Sequence, residues 1–275
     1  MSICTDLADE HAALDALVAN LSESDFDAAT PAAGWTVRDQ ISHLWFFDQR
    51  ARLALTDPDA FVADAATLAN TDGQDASVLP GRSCAAAELL AQWRSARVAL
   101  LEAAQRHDSS SRVMWYGPPM AARSFVTARL METWAHGQDI ADTLGVERVA
   151  TDRLRHVAHI GVRARPFSYS LHHRDLPADD IRVELTGPNG DVWQWGDSST
   201  DVIAGAALDF CLVVTQRRHA ADTGLRVIGD EAQQWIEIAQ AFAGGIGRSR
   251  IADAPRHSEV PTSVLRIAAA APPDA

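Results

Sequence analysis

The sequence predicts an α+β protein, with an N-terminal four-helix bundle over residues 1–148 and a smaller α/β domain over 149–250. Three observations predict it. Apolar residues recur at helical spacing through four long stretches of the first half. After residue 150 the texture changes to short alternating apolar runs around Gly/Asn turns. The 275 residues, 47 % hydrophobic and 22 % charged, are long enough for a sizeable core and too apolar for a disordered chain.

Taken in order, Leu7, Leu14, Leu17, Val18 and Leu21 mark a helix over 3–21. Thr36 is placed to cap a second, "VRDQISHLWFFDQRARLAL". Residues 57–82 mix polar turns with a short helical piece. Ser83 is expected to cap the third helix, and Ser124 the fourth, which stops at Gly145. Between them "DSSSRVMWYGPPM" reads as a loop. In the second half "TDRLRHVAHIGVRARPF" is a helix, and "IRVEL" and "VWQWG" are strands around "TGPNGD". Ile181, Val183 and Leu185 alternate as a half-buried strand requires. Thr200 or Asp201 is expected to start the helix "VIAGAALDFCLVVTQRR"; "LRVIG" is a third strand and "DEAQQWIEIAQAFA" a last helix. Residues 251–275 are expected to form a poorly ordered tail.

Composition narrows the function. A net charge of −13 disfavours nucleic acid and anionic membranes as partners. All 24 basic residues are arginine, so lysine chemistry is absent. Cys4, Cys84 and Cys211 form no CxxC, which argues against a disulfide framework and a cysteine-rich zinc site. No apolar run approaches a bilayer span, and "MSICTDLADEH" lacks a basic leader, so the expected location is cytoplasmic. There is no GxSxG, P-loop or GxGxxG. A metal site, if present, must come from His, Asp and Glu.

His43 sits among apolar neighbours in "DQISHLWFF", and Glu132 and His136 are four apart, on one face of the fourth helix. Two readings stand side by side. One is a hydrogen-bonded core histidine plus an exposed i, i+4 pair. The other is a shared site of two imidazoles and one carboxylate, the ligand count of catalytic zinc or of non-haem iron. Asp39 and Asp139 lie within a turn of the histidines, to orient them or to face solvent. His156, His159, His172 and His173 lack a carboxylate partner at helical spacing.

"GWTVRDQISHL" together with "ARLMETWAHGQDIADTLG" resembles the DinB-like, mycothiol-dependent maleylpyruvate isomerase superfamily. "HVAHIGVRARPFSYSLHHRDLP" and "RVIGDEAQQWIEIAQAFAGG" resemble the C-terminal part of an actinobacterial metal-binding subfamily. The resemblance implies a DinB-like bundle in which His43, Glu132 and His136 hold a divalent metal, zinc favoured, with iron or nickel as alternatives. It implies mycothiol or a similar thiol as cosubstrate, ionised by the metal, for addition to or substitution on a small electrophile. Isomerisation and S-transfer share that first step. A hydrolase or lyase using metal-activated water, and a non-catalytic metal-binding protein, are the competing readings.

Arg163 and Arg165, in an aromatic-rich run with Tyr169, and Arg217 and Arg218 are candidates for binding a carboxylate of substrate or thiol. Arg163, Arg165 and Arg218 are the expected catalytic residues. Trp115, Tyr116 and Tyr169 are the expected pocket walls for the cosubstrate. The C-terminal domain is expected to cover the open end of the bundle, in a monomer or homodimer.

Overall fold

The computed structural model describes residues 2–68, 75–243 and 245–246. In chain order the helices of the first half are α1 (Ile3–Val18), α2 (Glu23–Phe26), α3 (Val37–Thr56), α4 (Pro58–Leu68), α5 (Leu79–Arg82), α6 (Ala86–Gln105) and α7 (Ala122–Leu144). The short strands β1 (Arg112–Val113) and β2 (Met120–Ala121) pair antiparallel just before α7. The second half holds α8 (Leu154–Arg163), α9 (Arg165–Leu171), β3 (Arg182–Thr186), β4 (Val192–Trp195), β5 (Val202–Ala206), α10 (Ala207–Val214), β6 (Arg226–Ile228) and α11 (Asp230–Ile238).

The four long helices α1, α3, α6 and α7 pack into the bundle, α3 against α6 and α7, and α1 against α7. Thr36 caps α3 in a full capping box: its side chain accepts from the Asp39 amide while the Asp39 carboxylate accepts from the Thr36 amide. Gly145 ends α7 in the left-handed conformation, φ 64°, where a Cβ would be strained. Two expected caps move. The third and fourth helices start at Ala86 and Ala122, and neither has a side-chain cap. Ser83 instead closes α5, and Ser124 lies inside α7.

The second half is a four-stranded sheet in the order β4-β3-β5-β6. β3 pairs antiparallel with β4 and parallel with β5, and β5 antiparallel with β6. Here the sequence misleads, because Val202–Ala206 is a strand and not the start of a helix. Val202, Ile203 and Ala204 are all buried, so this central strand shows the uninterrupted apolar run that a buried helix also shows. Asp201 does cap a helix, but a different one. Its Oδ1 accepts from the Glu231 and Ala232 amides at the start of α11. The expected helix through residues 151–167 is divided at Ala164 into α8 and α9, with Pro166 in the first turn of the latter.

One apolar core runs through the expected junction near residue 148, joining Leu130 and Trp134 of α7 to Val157, Ile181, Phe210 and Trp235. The bundle interior also holds charge. His11, 2 % exposed, has Nε2 4.0 Å from Asp48 Oδ2. Burial, against the pull of Asp48, lowers the His11 pKa to about 4. An unfolded histidine titrates at about 6.5, so between these values the unfolded chain binds the extra proton and stability falls as pH drops. The loss attributable to His11 is about 3 kcal/mol once the pH reaches about 4. Urea unfolding from pH 7 to 4.5 should therefore fall less steeply in His11→Gln than in the wild type; parallel curves would remove His11 as the cause.

The expected tail, 251–275, lies outside the described residues.

Candidate metal centre

α3 and α7 lie side by side, and their facing positions meet at one point. His43, Glu132 and His136 each offer a ligand atom, all within 4.8 Å of one another. Glu132 Oε2 stands 3.3 Å from His136 Nε2, and the two imidazole centroids are 4.5 Å apart. Two donors on one tetrahedral zinc stand about 3.3 Å apart, so the spacing suits a shared divalent ion.

The hydrogen bonds behind the imidazoles set their tautomers. His43 Nδ1 lies 2.8 Å from Ser77 Oγ, and the Ser77 hydroxyl donates its proton to Asp75. Ser77 must therefore accept from His43 Nδ1–H. His136 Nδ1 donates to Gln40 Oε1 at 2.5 Å. The Gln40 amide is itself oriented, because its Nε2 donates to Thr30 Oγ1, which donates to the Trp35 carbonyl. Both rings thus direct Nδ1–H to these partners and turn Nε2 toward the site, as metal-ligating histidines require.

Charge agrees with this. Burial, joined by the neighbouring His136 and then by the cations Arg129 and Arg217, pushes His43 well below the usual histidine range, so the ring is neutral. Burial alone would raise the Glu132 carboxyl, but the His136 hydrogen bond and the same two arginines outweigh it and keep it anionic. Two imidazole Nε2 atoms and one carboxylate therefore face one point, and the residues fit a zinc-type ion.

The triad opens into a cavity of about 610 Å³. Phe46, Phe47, Trp115, Tyr116 and Phe242 form its aromatic side, and Trp35 stacks on His136 at 5.8 Å. Arg129, Asp139 and Arg217 line the polar side. Tyr116, pushed up to about 12 by burial, stays a neutral phenol. Both halves of the chain contribute to this cavity. The segment after α11 is tied down by Ala241 N–H to Val214 O and Gln240 N–H to Ser168 Oγ, which sets Phe242 and Ala243 against it.

Of the residues singled out in the sequence, Trp115 and Tyr116 line the cavity, and Arg163, Arg165, Tyr169 and Arg218 do not. Arg163 is exposed at the end of α8. Arg165 donates to the Asp179 carbonyl, and Tyr169 is buried beneath it in the core. The break at Ala164 directs this segment to the packing against α11, away from the triad. Arg218 forms a fork with both oxygens of Asp142. Its neighbour takes the cavity place instead: Gln216, at φ 60°, turns the chain out of α10 and sends Arg217 and Arg218 to different acids. Asp39 is engaged by Thr36 and Arg82, and the Nδ1 partners of His43 and His136 are Ser77 and Gln40. His156 pairs with Asp6, and His159 accepts from Trp195.

Arg129, Gln40, Ser77 and Phe47 were not singled out. Helical spacing held a signal for three of them, since Arg129 is three before Glu132, Gln40 three before His43, and Phe47 four after His43. Ser77 is brought in from a separate loop and had none. We expect Ser77→Ala and Gln40→Leu each to weaken zinc binding about 10- to 100-fold with the fold intact. Competition with a chromogenic chelator measures this, and unchanged affinity in both variants would refute the role given to these bonds.

Comparisons agree with the fold and the motifs. The chain is 46 % identical over 260 residues to "Uncharacterized protein Rv0036c" of Mycobacterium tuberculosis strain H37Rv, covering 89 % of this chain and 96 % of that one. The same figures hold for "Uncharacterized protein MT0041" of strain CDC 1551. Crystal structures of the mycothiol-dependent maleylpyruvate isomerase and of a mutant of it superpose with TM-score 0.54 at 14 % identity, over 82 % of this chain and 91 % of theirs. Residues 7–141 match the mycothiol maleylpyruvate isomerase N-terminal domain family. With these matches over the bundle and the α+β fold beyond it, the chain belongs to the mycothiol-dependent maleylpyruvate isomerase-like, DinB-like superfamily.

Proposed function

We propose that the protein is a metal-dependent, thiol-utilising enzyme of the isomerase or S-transferase type. His43, Glu132 and His136 hold the metal, zinc being favoured, and mycothiol or a similar small thiol is the cosubstrate. The observation that carries this reading is the meeting of one anionic carboxylate with two imidazoles whose Nδ1 atoms are tied to other partners, beside a cavity of about 610 Å³. A divalent ion held there supplies Lewis acidity, which lowers a thiol pKa until thiolate dominates near neutral pH.

The chain's own residues do the rest. Gln40 and Ser77 hold the imidazoles in register. Trp35 and Phe47 pack against the imidazole rings. Arg129 and Arg217 keep Glu132 ionised. Trp115, Tyr116 and Phe242 give a wall for the organic part of a ligand. Three free thiols and a thiol cosubstrate both suit a reducing, cytoplasmic setting.

Cobalt(II) substitution tests the reading. Adding 2-mercaptoethanol or mycothiol to the cobalt-loaded protein should produce an intense near-ultraviolet sulfur-to-cobalt charge-transfer band. A spectrum unchanged by either thiol would sink the thiol reading and leave metal-activated water as its successor.

A further inference from the structure

The cavity has two unlike sides, and the charged one is already neutralised. Arg129 directs Nε and Nη2 to Asp48 Oδ1, at 3.3 and 2.9 Å. Arg217 directs Nη2 to Asp139 and Nη1 to the Thr215 carbonyl, each at 2.7 Å. Each arginine therefore faces a carboxylate of its own. Glu132 and Asp75 remain among the lining groups, and a divalent ion at the triad offsets those two negative charges. Among the described residues, a dianionic ligand would shed its hydration shell and meet no uncompensated cation in return.

The opposite side is aromatic and continuous with the triad. Phe47 packs on the His43 ring at 4.7 Å, and edge-on to Tyr116 at 5.8 Å and to Trp115 at 6.2 Å. A flat apolar ligand entering beside His43 would lie along these rings, which favour offset and edge contacts with another π-system.

We infer that the electrophile taken by this cavity is an uncharged molecule with an aromatic or extended conjugated body, and not a small dicarboxylate. The inference rests on the thiol reading for the word electrophile; the preference for an uncharged aromatic ligand follows from the walls alone. It narrows the role expected for arginine, since Arg129 and Arg217 tune the triad and are not a carboxylate clamp.

Isothermal titration with three unreactive probes tests it: cinnamamide (neutral, aromatic), cinnamate (the same body with a carboxylate) and fumarate (a small dicarboxylate). Metal-free and zinc-loaded protein should both bind cinnamamide at least about tenfold more tightly than cinnamate, with fumarate weakest. Using the metal-free chain removes direct carboxylate–metal bonding as a cause of the ranking. Phe47→Ala should weaken cinnamamide by about tenfold. Asp139→Asn keeps the shape but frees the Arg217 charge, and should shift the preference about tenfold toward cinnamate. Cinnamate or fumarate equalling cinnamamide in the wild type, an unchanged ranking in both variants, or no binding by any probe overturns the inference. The cobalt band is read separately, so a chain that ranks the probes as expected but shows no thiol band refutes the thiol reading alone.

Discussion

Replacing His136 by alanine is expected to lower the metal content from about one divalent ion per chain to near zero. The reason is the ligand count. With Glu132 and His43 alone, two donors remain of three, and the carboxylate loses the partner that stands 3.3 Å away and helps keep it anionic. The loss of affinity should exceed the roughly 100-fold upper end expected for losing a bond behind a ligand. His43→Ala should act likewise, because its Nε2 completes the set from the facing helix. Elemental analysis after dialysis against a weak chelator measures the content. Thermal unfolding gives an independent reading: zinc at 100 times its dissociation constant stabilises the wild type by about 2.7 kcal/mol and should leave the variants unmoved. Metal retained in full by either alanine variant would refute the centre.

The second large effect concerns the ion pair behind the cavity. Asp48 is fully buried, and its Oδ1 holds Arg129, whose side chain is 5 % exposed. Asp48→Ala leaves that guanidinium buried without its counter-charge. The expected cost is about 3–5 kcal/mol, seen as a lower urea midpoint. Arg129→Leu alone should cost a similar amount, by stranding Asp48. The double variant Asp48→Leu, Arg129→Leu should recover most of the loss, because a buried pair replaced by apolar groups of similar volume is often close to neutral. Losses that simply add in the double variant would show that the two residues act separately and that the pair is not a unit.

Much of the bundle was legible in the sequence because helical periodicity and end signals are local. Thr36 with Asp39, and Gly145, mark ends that the chain itself enforces. Where the local signal was ambiguous, the reading failed in an understandable way. Ser83 and Ser124 looked like caps, yet the helices they precede or fall in begin at alanines without one. Val202–Ala206 read as helix because a strand buried on both faces loses its alternation. The arginines show the same limit at the level of the site. Arg217 and Arg218 are identical in type and adjacent, and only the left-handed turn at Gln216 separates the one that lines the cavity from the one that clamps Asp142.

The sequence by itself determined the four amphipathic helices, the absence of lysine and of cysteine pairs, and the two motifs in which His43, Glu132 and His136 stand. It could do so because these depend on residues within a few positions of one another. The tertiary structure alone decided which ring nitrogens face the site, which arginines are neutralised, and that a segment near residue 242 walls a cavity built on helices far upstream. Those properties depend on partners brought together from distant parts of the chain, such as Ser77 against His43, Gln40 against His136 and Asp48 against Arg129. No spacing rule encodes such pairings, because burial and the geometry of packed helices choose them.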